Sequence, residues 1–260
     1  MAGQVIPSLL DTDRRPLVIA HRGASRAAPE NSLEAFEAAI EIGCDAVEMD
    51  VRRTADGVLV LHHAAARRGT PLGRLTYAQL ARRSRHAPAR LVDAVTLCAG
   101  RIGMDVEIKE AGLEAEVLGV LAQRFAPSAL LITSFHESVI ATVKRSQPRV
   151  RCGLLVGPGR GRRASGAGPL EWVARCGADV LLPHRLLTPA RRLRRGPPHD
   201  ALIDAAHRAG VPVILWTVNS SRHMERFLGD QRVAGIITDL PDQARALRRR
   251  LRPSGAQPPT

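Results

Sequence analysis

The stretch HRGASRAAPENSLEAFEAAIEIGCDAVEMDVRRTADGVLVLHH, from His21 to His63, contains the strongest structural signals in this chain. Within it, residues 45–51 (DAVEMDV) alternate between apolar and polar side chains, which is the period of a β-strand. The carboxyl groups of Glu48 and Asp50 therefore lie on one face of this strand, and its apolar side chains lie on the other. One strand thus places two acidic groups side by side.

A hairpin is expected directly after this strand. The sequence TADG contains an Asp-Gly pair at positions 56–57 between two apolar runs, the strongest short signal for a two-residue turn. With that turn, Asp50 lies opposite His63, and a four-residue turn would place Glu48 there instead, with the same parity. Only a three-residue loop would favour His62. We therefore expect His63 to share the face of the two carboxylates, although a solvated hairpin edge is the better explanation of an isolated histidine.

The residues before the acidic strand predict another strand and a helix. LVIAH, residues 17–21, is an apolar run typical of a buried strand that ends at His21. In APENSLEAFEAAIEIG, Asn31 is a candidate N-cap, Glu34 follows three residues later as in a capping box, and Gly43 ends the helix. Capping alone would explain Asn31.

A third carboxylate comes from GMDVEIK, residues 103–109, where Asp105, Glu107 and Lys109 lie on one face of a predicted strand. A plain salt bridge between Glu107 and Lys109 is the simpler explanation of that pair taken alone. Beside the two carboxylates of the earlier strand, however, Glu107 completes a set of three.

Apolar runs separated by helix-like stretches predict eight strands. They cover residues 17–21, 45–51, 103–109, 129–134, 151–156, 179–183, 212–218 and 234–239. Such alternation indicates an α/β protein with a closed (β/α)8 TIM barrel, and the hairpin is an extension after strand 2. The polar residues that stand out lie at the carboxyl ends of these strands, where barrel enzymes carry their active sites: His21, Glu48, Asp50, Glu107, Lys109, Trp216 and Asn219.

The predicted organisation is an N-terminal extension at residues 1–16, one barrel domain at 17–252 and a disordered tail at 253–260. The last helix, PDQARALRRRLRP, places apolar side chains on one stripe and most of its arginines on the solvated face. That stripe comprises Leu240, Ala244, Leu247 and Leu251. Two segments rich in Gly and Arg, residues 157–168 and 191–200, are expected to be mobile loops.

Several short motifs in this chain resemble those of the glycerophosphodiester phosphodiesterases. HRG, PEN, ExDV and TxDG with a following His occur in the family's order, and EIK at 107–109, WTVN at 216–219 and GIITD at 235–239 complete the series. The resemblance covers about residues 17 to 241. It departs at one position, since the family usually has Asp directly after the second His and this chain has Ala64.

The resemblance implies hydrolysis of glycerophosphodiesters to glycerol 3-phosphate and an alcohol, as part of lipid metabolism. It implies that His21 and His63 are the general acid and base, with their order left open, and that Glu30 and Asn31 line the site. A lysophospholipase D-type activity on lysophospholipids is an alternative. A phosphodiester-binding barrel that has lost turnover, marked by Ala64, is another.

The residue types indicate how such a site would work. Three carboxylates without a cysteine, at Glu48, Asp50 and Glu107, suit a hard divalent ion, Ca²⁺ or Mg²⁺, rather than zinc. Phosphate oxygens could bind Arg22 and Lys109. The Trp216 ring could pack on the alcohol part of the substrate, and a buried core tryptophan is the nearly equal alternative.

Composition narrows the class of protein and its partners. The hydrophobic fraction is 45% and the net charge is +13, carried almost wholly by arginine. Aromatic residues make up only 3%, so there are few stacking surfaces for nucleic acid, which we do not expect as a partner; peripheral contact with an anionic membrane surface is an alternative. No transmembrane segment or secretory signal is evident, so we expect a cytoplasmic protein with four reduced, buried cysteines.

Overall fold

The computed structural model describes residues 9–10, 15–158, 168–187 and 201–251. Apolar runs form the strands of this described part of the chain. In chain order they are β1 (Leu17–Ala20), β2 (Ala46–Arg53), β3 (Leu59–Leu61), β4 (Ala66–Arg67), β5 (Thr70–Pro71), β6 (Gly103–Ile108), β7 (Leu130–Ser134), β8 (Arg151–Val156), β9 (Val180–Pro183), β10 (Ile214–Leu215) and β11 (Gly235–Thr238).

The parallel strands form a ring. Neighbours pair in the order β10, β11, β1, β2, β6, β7, β8 and β9. Between the two ends of this series, β9 and β10, the parallel bridges Leu181 to Val213 and His184 to Trp216 close the barrel. The predicted eight strands and the TIM barrel fold are thus confirmed.

Helices lie outside this ring. Those described are α1 (Leu33–Ile42), α2 (Tyr77–Arg83), α3 (Leu91–Cys98), α4 (Glu114–Leu121), α5 (Glu137–Ser146), α6 (Pro169–Cys176), α7 (Ala201–Arg208), α8 (Ser221–Leu228) and α9 (Pro241–Arg250). None of the helices in the described ranges is long and apolar enough to cross a membrane.

Strand alternation divides the core into two layers. Inside the ring, Ile19, Leu131, Leu182 and Ile214 pack on one another, and Leu9 of the predicted N-terminal extension belongs to the same cluster. Side chains on the opposite strand faces pack against the helices. All four cysteines are buried in their free form, as predicted.

The last helix differs in part from its prediction. Ala244 is buried, but Leu251 is 39% exposed because α9 ends before it. Arg248 lies in the interior instead, where its guanidinium donates to the Pro16 carbonyl and to the Asp45 carboxylate. A charge partner in another element therefore buries an arginine that the helical pattern placed among solvated ones. The predicted tail at 253–260 and most of the two predicted mobile loops lie outside the described residues.

The hairpin register differs from the prediction. Val51 pairs with Leu61 and Arg53 with Leu59, and the Thr54 N–H donates to the Val58 carbonyl, so residues 55–57 form a three-residue loop rather than a two-residue turn. Gly57 has a φ of 82°, which permits this loop, and its N–H donates to the Thr54 carbonyl. The backbone partner of Asp50 is therefore His62, not His63.

Candidate active site

His21 follows β1 directly and is held by the last barrel strand. Its N–H donates to the Thr238 carbonyl at 2.9 Å, and its Nδ1 lies 2.6 Å from Asp239 Oδ1. Asn219 in turn donates to the other Asp239 oxygen and accepts the Asp239 N–H. Since Nδ1 is engaged by the carboxylate, Nε2 of His21 faces Glu48 Oε2 at 4.0 Å.

The three predicted carboxylates meet inside the barrel mouth. Asp50 of β2 lies beside Glu107 of β6 in the parallel register, and Glu48 lies one layer deeper. One oxygen from each of the three lies within 4.8 Å of the other two. All three side chains are buried, with Asp50 at only 1% exposure. Strand pairing thus places three acidic groups in one low-dielectric space.

Burial and mutual repulsion separate the acidities of this group. Burial, with the nearby charges of Asp50 and Glu107, raises the pKa of Glu48 well above its usual range. Burial raises the pKa of Glu107 to about 6, although Lys109 opposes it. Burial acts in the same direction on Asp50, but the hydrogen bond from His63 and the charges of Lys109 and Arg22 lower its pKa overall.

Two cations contact these carboxylates. Lys109 Nζ lies 2.8 Å from Glu107 Oε1 and 3.1 Å from Asp50 Oδ1. Arg22 donates its backbone N–H to Glu48 at 2.8 Å, and its Nε lies 3.1 Å from Asp50 without the alignment of a hydrogen bond. The salt bridge considered for Glu107 and Lys109 therefore exists, as part of a larger cluster.

The PEN segment contributes through Asn31 and Glu30, but the predicted cap is wrong. Ser32 is the N-cap of α1, since its hydroxyl accepts the Ala35 N–H at 3.1 Å. Asn31 has a φ of 57° and grips Asp50 with both ends of its amide, donating at 2.9 Å and accepting at 3.1 Å. Glu30 accepts a hydrogen bond from Arg22 at 2.8 Å.

His63 reaches the carboxylates despite the changed register. The strand pairing stops at Leu61, and the chain then turns so that His63 Nδ1 lies 3.3 Å from both oxygens of Asp50. Arg52 fixes this turn by donating two hydrogen bonds to the His63 carbonyl. His62 instead contacts the Ala64 carbonyl through Nδ1, at 2.9 Å.

These groups surround one cavity of about 270 Å³, which we call the catalytic cavity. Its polar wall carries both histidines, two carboxylates of the cluster, Arg22 and Lys109. The other wall is apolar and contains Trp216, whose ring packs edge-on against Phe135 with centroids 5.4 Å apart. Because the Trp216 Nε1–H donates to the Leu182 carbonyl at 2.7 Å, the ring is fixed at the cavity wall rather than in the closed core.

Comparison with known proteins identifies the family. The model of the glycerophosphoryl diester phosphodiesterase family matches residues 21–107 and 102–243. This chain belongs to that family. The glycerophosphodiester phosphodiesterase of Caldanaerobacter subterraneus subsp. tengcongensis is 28% identical over 250 residues, which cover 88% of this chain and 96% of the relative.

Solved structures of similar proteins share the barrel. A glycerophosphodiester phosphodiesterase from Parabacteroides distasonis has a TM-score of 0.71 at 24% identity, with 92% of this chain and 99% of that one covered. A phosphodiesterase from Oleispira antarctica, in complex with the product sn-glycerol-3-phosphate, has a TM-score of 0.74 at 23% identity and covers 90% of this chain and 96% of that one. The predicted family, fold and enzyme class, a phosphoric diester hydrolase, are confirmed.

Two acidic residues that adjoin this candidate site, Asp105 and Asp239, were not singled out as site residues from the sequence. Asp105 lies on the same strand face as Glu107, yet only its alternation gave a signal. It is fully buried, accepts one hydrogen bond from Thr133 at 2.7 Å, and its Oδ2 has no hydrogen-bond partner within the described chain. Burial raises the pKa of Asp105 to about 8, although the Thr133 hydrogen bond opposes it. Asp239 was visible only as the end of GIITD.

The cluster fits a divalent cation. Its ligand atoms are all carboxylate oxygens, the donors that Ca²⁺ and Mg²⁺ prefer. Glu107 Oε1 is buried without a hydrogen bond of proper geometry, although Lys109 lies close to it. Three carboxylates also face only two permanent cations in this cluster, Arg22 and Lys109. A cation among the three oxygens would satisfy both the unbonded atom and the excess negative charge.

Proposed function

We propose that this chain hydrolyses glycerophosphodiesters to glycerol 3-phosphate and an alcohol, with Ca²⁺ or Mg²⁺ held by Glu48, Asp50 and Glu107. The observation that carries the proposal is the convergence of three buried carboxylates within 4.8 Å of one another, beside a cavity lined by two of them and by two histidines. A bound divalent ion would polarise the phosphorus centre and offset charge on a phosphodiester oxygen.

The charge balance supports a phosphodiester rather than an uncharged ester. Three carboxylates share this space with Arg22, which also pairs with Glu30, and with Lys109, so acidic groups outnumber the permanent cations and disfavour a phosphate. A bound divalent cation would offset this negative charge and attract the single charge of a phosphodiester. Arg22 and Lys109 then bind the phosphate oxygens.

His21 and His63 act as the general acid and base. Imidazole exchanges protons near neutral pH, and each ring here has its Nδ1 fixed by a carboxylate. For His21 that carboxylate is Asp239, which orients the ring so that Nε2 faces the cavity. For His63 it is Asp50. The Trp216 face packs against the carbon atoms of a substrate substituent.

The test is a phosphodiesterase assay on glycerophosphodiesters and on a lysophospholipid, with chelated protein and with each ion restored. We expect release of glycerol 3-phosphate, or its acylated form from the lysophospholipid, only after the ion is restored. Activity that is unaffected by chelation would contradict the metal-dependent reaction. Binding to anionic vesicles in the same samples tests the predicted membrane contact.

The alternative of a barrel without turnover depends on Ala64. Ala64 is exposed next to His63, and its carbonyl contacts His62. An aspartate here would support neighbouring groups, and such supporting losses typically cost roughly 10- to 100-fold in activity. We therefore expect slow, chelator-sensitive hydrolysis in the wild type and faster hydrolysis in Ala64→Asp. Wild-type rates no higher than those of His63→Ala would favour the alternative.

A further inference from the structure

Two cavities at the carboxyl-terminal end of the barrel meet at one side chain. Beside the catalytic cavity lies a second, which we call the side groove, of about 820 Å³, formed mainly by residues 29–34, 61–64 and 84–89. Among the residues described, His63 lines both. The two cavities therefore adjoin at the His63 side chain.

We propose that the side groove binds the alcohol substituent of the diester and prefers alcohols with several hydroxyl groups or a negative charge over those with a quaternary ammonium group. This rests on the proposed function, because it concerns the second substituent of the same phosphodiester. Glycerol, which all these substrates share, suits the catalytic cavity of about 270 Å³. The alcohol varies between substrates and suits the larger volume.

The charges along the side groove are only partly compensated. Glu30 and Asp93 line it but are paired with arginines outside its wall, at 2.8 Å and 2.7 Å. Neither Arg67 nor Arg85, which also line it, has a carboxylate partner within the described ranges. Two arginines thus face one remaining carboxylate, Glu34, and the excess charge attracts anions or hydroxyl oxygens.

The other polar groups of the side groove bind hydroxyls. His62 and His86 add ring nitrogens. Recognition of a quaternary ammonium group uses several aromatic faces, whereas Tyr77 is the one Phe, Tyr or Trp side chain among the described lining residues. A polyol hydroxyl can bond to these ring nitrogens and to the two arginines, whereas the quaternary ammonium group of choline has no N–H to donate.

The experiment compares initial rates on glycerophosphoglycerol, glycerophosphoinositol and glycerophosphocholine with one restored ion. We expect kcat/KM for the first two to exceed that for the choline diester by about 10-fold, as for one charge-assisted hydrogen bond. Equal rates, or a preference for the choline diester, would overturn the proposal. Hydrolysis of none of the three would contradict the proposed function instead.

Two variants locate the preference. Arg85→Ala and Arg67→Ala should each lower kcat/KM more for the glycerol and inositol diesters than for the choline diester, so that the ratio falls toward one. The matched control is Arg82→Ala, on the exposed face of α2 and outside the groove, which should keep the wild-type ratio. A ratio that is unchanged in both groove variants would place recognition elsewhere, while a uniform loss on all three substrates would indicate a merely structural role.

Discussion

The two histidines that we propose as general acid and base are held by different parts of the fold. His21 continues the parallel ladder of the barrel, and its side chain is 18% exposed. His63 lies beyond the end of the hairpin, and its side chain is 47% exposed. The barrel therefore fixes one imidazole through strand pairing, whereas a short turn tied by Arg52 positions the other. One side of the site is therefore tied into the barrel by strand pairing, and the other side is more exposed to solvent.

Replacing either histidine should give the largest effect. We expect His21→Ala and His63→Ala each to reduce turnover by on the order of 100-fold or more, because each would remove a proposed general acid or base. His62→Ala is the control and should cost much less. Steady-state kinetics on one glycerophosphodiester at saturating ion makes the comparison. A larger loss for His62→Ala than for His63→Ala would mean that His62, and not His63, has the proposed role at the end of the hairpin.

The position of His21 can be tested by changing Asp239, the residue that holds it. Asp239→Asn keeps the shape of the chain but removes the charge that holds His21, so we expect a loss of roughly 10- to 100-fold in kcat with little change in KM. A loss that appears mainly in KM, or no loss at all, would contradict the positioning of His21 by Asp239.

A smaller effect concerns the carboxyl groups below both histidines. In the ion-free protein the raised pKa values, about 6 for Glu107 and about 8 for Asp105, mean that the folded state keeps protons that the unfolded chain has lost. Stability is therefore present at low pH and falls as the pH rises toward 8. A cation replaces these protons, so the ion-induced rise in melting temperature should be larger at about pH 8 than at about pH 5.5.

Asp105→Asn is the matched variant for this pH dependence. Asp105→Asn removes the ionisable group of Asp105. Between about pH 6 and about pH 8, the stability of the variant should therefore fall less with rising pH than the stability of the wild type. Melting curves of chelated protein across this range make the measurement. An equal loss of stability with rising pH in the variant would assign the effect to other groups.

The barrel could be predicted because its signals are local. Apolar runs of strand length and the period of two along β2 and β6 determine which carboxyl groups face inward, whatever the exact pairing. The hairpin register could not be predicted, because an Asp-Gly pair occurs in loops of two and of three residues. A difference of one residue in the loop turns each side chain of the returning strand to the opposite face of the sheet. His63 does lie beside Asp50, as predicted. The cause is the turn of the chain after Leu61, and not the strand register from which the prediction was made.

Contacts between residues that are distant in the chain could not be predicted from the sequence either. Asp239 meets His21 across 218 positions, and Arg248 meets Asp45 across 203, and neither pair has a local signature. Asn31 looked like a cap because caps and active sites use the same residue type. Ser32, one residue later, is the N-cap of α1, and Asn31 instead donates a hydrogen bond to Asp50.

The central claim is that Glu48, Asp50 and Glu107 hold a divalent ion, and thermal melting of chelated protein titrated with Ca²⁺ or Mg²⁺ tests it most directly. Because a ligand bound only by the native state adds stability, the wild-type melting temperature should rise with ion concentration. The rise should disappear in Glu48→Gln with Asp50→Asn and persist in the control Glu41→Gln, an exposed residue of α1. A double variant that keeps the full wild-type rise would contradict the metal site.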